Sequence, residues 1–160
     1  MRTQPSPLEE QRMPVRAQLA SAWTAFMFLY IYVDYYHLYK PGTLDLILEG
    51  RVFEFAVSPV LLTAFLALSG IPALMVALSA TLPARANRTT QLVVASMYIP
   101  VTVFNAVGES WEWAPFYVLS IGVELVLLAF ILRSAWTWPR TATSAAQPSV
   151  RVADHAPQQA

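Results

Sequence analysis

The amino-acid sequence predicts an all-α integral membrane protein, a four-helix bundle with both termini in the cytoplasm. Three observations predict it. Of 160 residues, 56% are hydrophobic and 12% charged, with a mean hydropathy of +0.47, whereas an average soluble domain is about a quarter charged. Four stretches are long and apolar enough to cross a bilayer, which takes about 20 residues at 1.5 Å rise each. The basic residues cluster on one side of those stretches.

The same composition excludes several classes. The length fits one domain. With no Cys, neither a disulfide scaffold nor a thiolate metal site is available. A net charge of +0 provides no basic field for nucleic acid. The period-2 alternation of a membrane β-barrel is absent.

The expected spans are about 17–39, 56–82, 91–107 and 114–133, within a transmembrane domain 17–140. A cytoplasmic segment 1–16 precedes it and a disordered cytoplasmic tail 141–160, rich in Thr, Ala, Ser, Gln and Pro, follows. Lys40-Pro41-Gly42 ends the first span, since Pro cannot continue a helix and Gly accepts the turn. Leu82-Pro83 ends the second, and Pro115 suits the first turn of the fourth. Pro59, Pro72 and Pro100 are expected to interrupt helices, and the carbonyls they free need other partners. In the first loop, Thr43 is expected to cap a short amphipathic helix over 44–49 that lies on the membrane surface, stopped by Gly50. The first span is too long for a signal peptide and no small-residue cleavage site follows it.

Orientation follows the Lys/Arg distribution. Arg2, Arg12 and Arg16 precede the first span, Arg85 and Arg88 lie between the second and third, and Arg133, Arg140 and Arg151 follow the fourth. Only Lys40 and Arg51 lie on the other side, among Asp45, Glu49, Glu54, Glu109 and Glu112. Trp111 and Trp113 fit an outer aromatic belt, Trp136 and Trp138 an inner one. Glu109 and Glu112, in a short loop, are expected to be solvated.

Ionisable groups inside a span are costly and face the bundle interior. The candidates are Asp34, His37 and Glu124. Tyr30, Asp34 and His37 fall at i, i+4 and i+7 and share a helix face that should turn inward, with Trp23 and Phe26 or Met27 extending it. Glu124 lies at the centre of its span. It is either a neutral, hydrogen-bonded structural group or a proton-linked one. Tyr30 falls at similar depth, so a Tyr30–Glu124 bond is expected, with Asn105 within reach of the same polar cluster. Of five tyrosines in 30–39, some must point inward. Asp34-x-x-His37 occurs once, whereas carboxylate–histidine metal sites in bundles need the pattern twice, so no metal and no other cofactor is expected.

The run Ala20-Ser21-Ala22-Trp23, Tyr30-Ile31-Tyr32, Asp34-Tyr35 and Leu38-Tyr39 before Pro41-Gly42 resembles the first-helix signature of a family of small bacterial four-helix membrane proteins, carried as a domain of unknown function. Ser58-Pro59, Ile71-Pro72-Ala73-Leu74-Met75, Phe116-Tyr117, Val123-Glu124 and Trp136 with Trp138-Pro139 extend the similarity over about 17–140. The resemblance implies a multi-pass protein of the bacterial inner membrane and no reaction. It carries Asp34 and Glu124 as part of the pattern and leaves His37 outside it.

There is no phosphate-binding loop, no G-x-S-x-G and no H-E-x-x-H. The leading expectation is therefore a non-catalytic bundle-forming or assembly subunit. A small oligomeric transporter with a proton-linked Glu124 is the second reading, and a membrane enzyme or a quinone- or lipid-binding component the third. The expected partners are the lipid bilayer and further copies of the chain or another membrane protein, not nucleic acid. On this topology, reporter fusions active only outside the cytoplasm should be silent at Arg85 and Arg140 and active near Glu49. Activity at Arg140 would refute four spans.

Overall fold

The computed structural model describes residues 13–139. The expectations for the first twelve residues and for the tail lie outside that range. Five α-helices follow one another: α1 (Val15–His37), α2 (Thr43–Leu48), α3 (Pro59–Thr81), α4 (Ala84–Phe104) and α5 (Ala114–Trp136). A two-stranded antiparallel hairpin, β1 (Arg51–Val52) and β2 (Phe55–Ala56), separates α2 from α3. A single 3-10 turn, Trp111–Trp113, leads into α5.

The long helices form a ring in which α1 packs against α3 and α5, and α5 packs against α4. α3 and α4 meet little, although Leu82 and Pro83 are all that separates them. α1 and α4 face each other across the centre, where Trp23 and Phe26 meet the ring of Tyr98 edge-on.

Each helix places a stripe at helical spacing on that centre. Leu19, Ala22, Trp23, Phe26 and Tyr30 are buried from α1. From α4 the stripe is Asn87, Gln91, Ala95, Tyr98 and Thr102. From α5 it is Tyr117, Ser120, Glu124, Leu128, Ile131 and Ala135. α3 buries only Pro72, Met75 and Ser79, all in its second half.

Hydropathy alone misplaces one boundary by a full two turns. α4 begins at Ala84 rather than near Gln91, because the polar Arg85–Thr90 run is helical with Asn87 turned inward and Arg85 outward. Pro59 does not interrupt a helix. It occupies the first turn of α3, where a missing N–H costs nothing, and the Ser58 hydroxyl accepts from the Leu61 N–H at 3.2 Å. Thr43 is not a cap. Gly42, at φ +82°, precedes the helix without a side-chain bond. The stop at Gly50 stands, with φ +75°. The hairpin was not foreseen. Its two-residue turn sets Phe53 at φ +52°, a conformation that costs a non-glycine residue about 1 kcal/mol.

Pro72 and Pro100 do lie inside helices. Pro72 removes the N–H that would bond the Leu68 carbonyl, and the Tyr98 hydroxyl donates to that carbonyl instead. At the Arg-rich end a buried side-chain network joins three helices. Trp23 Nε1 donates to Gln91 Oε1 at 2.5 Å. Gln91 Nε2 donates to Ser79 Oγ at 2.7 Å and to Asn87 Oδ1 at 2.9 Å. Asn87 Nδ2 donates to the Ser79 carbonyl at 2.7 Å, and Ser79 Oγ to the Met75 carbonyl at 2.6 Å.

Gln91→Leu strands the Trp23 N–H and leaves the Asn87 oxygen unpaired, each worth about 1–3 kcal/mol when buried. It should lower the stability of the purified protein by about 3 kcal/mol, and Tyr98→Phe by about 1 kcal/mol. Denaturant unfolding followed by circular dichroism measures both, and a Gln91→Leu protein as stable as wild type would remove the network from the account.

Candidate functional site

Two polar clusters occupy the half of the bundle opposite the Arg-rich end. The deeper one centres on Glu124. Its side chain is 1% exposed, and Thr102 Oγ1 donates to its Oε2 at 2.7 Å. α4 and α5 place these residues opposite one another because Thr102 and Glu124 continue the same inward stripes as Tyr98 and Leu128. Ser120, one turn from Glu124, returns its hydroxyl to the Tyr117 carbonyl at 3.1 Å.

The expected Tyr30–Glu124 bond is not formed; among the described residues the carboxylate is bonded by Thr102, at Oε2. Tyr30 is buried and lies among Asn105, Asp34 and Glu124. Asp34 does not turn fully inward. It is exposed on the flank of α1 and has no hydrogen-bond partner among the described residues. The helix places it one turn beyond Tyr30, where α3 buries nothing that would cover it. Asn105 is half-buried at the end of α4. The five anticipated residues therefore separate into a buried set, Tyr30 and Glu124, and a more open one.

His37 belongs to the second cluster, at the end of α1. Lys40 pairs with Glu109, and the Tyr117 hydroxyl donates to Glu109 Oε1 at 2.8 Å. Tyr117 has one hydroxyl hydrogen, so its oxygen must accept from His37 Nδ1 at 2.8 Å. This fixes the proton on Nδ1 and leaves Nε2 free. Lys40 Nζ also stands 5.8 Å from the Trp113 ring centre and 5.9 Å from that of Tyr117, within cation–π range. His37, Lys40, Trp113 and Tyr117, with Tyr36 and Phe116, line a cleft of about 290 Å³.

Glu109 is thus not solvated as its loop position implied. Its side chain is only 10% exposed. Burial by itself would raise its carboxyl, but the bonds from Lys40 and Tyr117 and the charges of Lys40 and His37 outweigh it and hold the group below the usual glutamate range. Glu112 is exposed.

The residues missed by sequence reading are Gln91, Asn87, Ser79, Thr102, Lys40, Glu109 and Tyr117. The signal for the α4 set was present, since Asn87, Gln91, Tyr98 and Thr102 repeat at helical spacing. The Lys40–Glu109 pair joins residues 69 apart in sequence and leaves no local trace.

Residues 9–145 match the model of a family of unknown function, DUF6326, as the resemblance read from the sequence expected. No curated protein and no solved structure shows a significant match.

A carboxyl held low in the folded state contributes stability that is present above its unfolded value of about 4.3 and lost as pH falls through the folded value. Thermal unfolding between pH 7 and pH 3 should therefore show a loss of stability below about pH 4.3 that Glu109→Gln reduces. Identical profiles would mean the Lys40–Glu109–Tyr117 cluster adds no pH-dependent stability.

Proposed function

The chain belongs to the DUF6326 family of unknown function, and from that premise we propose that it is a four-span, non-catalytic subunit of a bacterial inner membrane, an assembly protein whose intramembrane polar groups hold its helices together. The observation that carries this reading is Glu124, 1% exposed and hydrogen bonded across to α4. Among the described residues, no fully enclosed side-chain nitrogen or oxygen lacks a partner. That is the condition a bundle must meet where no water can satisfy it.

Two helices, Pro59–Thr81 and the Trp111–Trp136 segment, are long and apolar enough to cross a membrane, each with mean hydropathy 2.2 in its best window. Only 11% of the first window and 28% of the second is buried, which supports lipid-facing helices over the buried core helices of a soluble protein. α1 and α4 are of similar length, and α4 turns Asn87, Gln91, Tyr98 and Thr102 to the bundle centre. The separation of Arg16, Arg85, Arg88 and Arg133 from Lys40 and Arg51 supports cytoplasmic termini.

A second reading, a small oligomeric permeation protein, draws on Asp34. It is exposed and unbonded among the described residues, and Glu124 Oε1 accepts no hydrogen bond among them. Glu124 separates the two. Glu124→Gln keeps shape and hydrogen-bonding capacity and loses only the titratable proton. For an assembly subunit, Gln preserves expression and stability and complements a deletion strain, while Ala strands the Thr102 hydroxyl and lowers stability by about 1–3 kcal/mol. A Gln protein that is stable yet fails to complement would overturn the assembly reading and establish the proton-linked one.

A further inference from the structure

The Arg-rich end of the bundle carries a surface that the assembly reading does not use. Two arginines there cap helix carbonyls. Arg16 Nη1 donates to the Ala80 carbonyl at 2.7 Å, near the end of α3, and Arg88 Nε donates to the Ala135 carbonyl at 3.2 Å, near the end of α5. The Arg88 guanidinium also lies 5.8 Å from the ring centre of Trp136. It thereby joins the first turn of α4 to the last turn of α5.

Arg85 precedes Arg88 by three positions on α4, and Arg133 precedes Trp136 by three on α5, so each pair shares a helix face. Arg85 and Arg133 are exposed, and Trp136 is 69% exposed. Arg88 Nη1 and Nη2 form no hydrogen bond among the described residues. Every Asp and Glu among the described residues lies in the middle of the bundle or at its other end, so no carboxylate among them neutralises these three guanidinium groups. On α5, exposed Val126 and Phe130 precede Arg133 at i, i+4 and i+7, an apolar track leading from the charged end along the bundle wall.

We propose that Arg85 and Arg88 of α4, with Arg133 and Trp136 of α5, seat the phosphodiester headgroup of an anionic phospholipid of the cytoplasmic leaflet, its acyl chain lying along Val126 and Phe130. The seat rests on the four-span reading, which puts this end at the inner membrane surface. Guanidinium forks match phosphate oxygens in two-point contacts. Tryptophan sits at headgroup depth with one side apolar and its N–H wet. A zwitterionic headgroup brings its own cation to three arginines that no carboxylate among the described residues neutralises, so charge selects an anionic lipid.

The test is native mass spectrometry of the full chain from neutral micelles containing equal phosphatidylglycerol and phosphatidylcholine. Wild type should retain phosphatidylglycerol at least 10-fold over phosphatidylcholine, and the preference should fall with added NaCl. Arg85→Gln/Arg133→Gln, which leaves the Arg88–Ala135 bond in place, should bring retention down to the phosphatidylcholine level. Arg133→Lys should keep most of it, and Arg51→Gln at the opposite end should change nothing. Equal retention of the two lipids by wild type, or an equal loss with Arg51→Gln, overturns the seat. Displacement by millimolar inorganic phosphate would identify a free-anion site and overturn the lipid assignment. The reporter fusion at Arg85 separates the two levels. Activity there refutes the topology, whereas silence with no lipid preference refutes the seat alone.

Discussion

Gln91 is the residue on which the closure of the bundle depends. It accepts from Trp23 of α1, donates to Ser79 of α3 and donates to Asn87 within α4. α3 and α4 otherwise pack little, so this amide, with the Asn87 and Tyr98 bonds to the Ser79 and Leu68 carbonyls, holds the least-packed pair of the ring together and ties it to the helix opposite. In the proposed bilayer setting a greasy contact between helices gains little, since lipid tails are as apolar as Leu. A buried amide with no water available has no comparable alternative. The network therefore fixes which helices are neighbours and their axial register, while the apolar layer of Leu19, Leu128 and Ile131 fills the space around it.

The two halves of the molecule differ as a result. Towards the arginines, α3 is held by Ser79, by Met75 in the core and by the Arg16 bond to Ala80. Pro72 marks the limit of that hold, with Tyr98 bonded to the Leu68 carbonyl that the proline frees. Beyond Pro72, α3 buries no residue fully, and Leu68 packs against the core only in part. That half is fastened by Thr102–Glu124 within and by Lys40, Glu109, Tyr117 and His37 at the end. Asp34 falls on the flank left uncovered, which is why a residue on the same helical face as Tyr30 is exposed.

The helical class was legible in the sequence because apolar length and Pro/Gly breaks act locally. α5 starts at Ala114 with Pro115 in its first turn, as the breaks predict. The start of α4 was not, because a hydropathy window reads Arg85–Thr90 as loop although those residues have adequate helix propensity and a spacing that hides Asn87. The hairpin escaped because two residues per strand carry no periodicity to detect. Glu124 was legible as a residue needing a partner, but its partner was not. The choice between Tyr30 and Thr102 depends on how α4 is rotated against α5, which one chain's residue order does not encode. Lys40–Glu109 was hidden for the same reason, since it forms only after α1 and the α4–α5 connection are brought together.

The division of labour among the helices follows from these constraints. α3 and the segment ending in α5 are the apolar ones, and each packs against α1 and α4 around the ring, of which α4 carries the polar stripe. A bundle of four uniformly apolar helices would have no preferred rotation, because every face would serve equally well against lipid or protein. Polar groups on every face would make membrane insertion too costly. Turning the Asn87 and Gln91 amides, the Thr102 hydroxyl and the Glu124 carboxyl inward meets both conditions, provided each finds a partner at its own depth. Trp23 with Gln91, Tyr98 with the Leu68 carbonyl and Thr102 with Glu124 are those partners at three successive levels. They fix the rotation of α4 at each level, and that rotation in turn buries Glu124 instead of leaving it on the surface of the bundle.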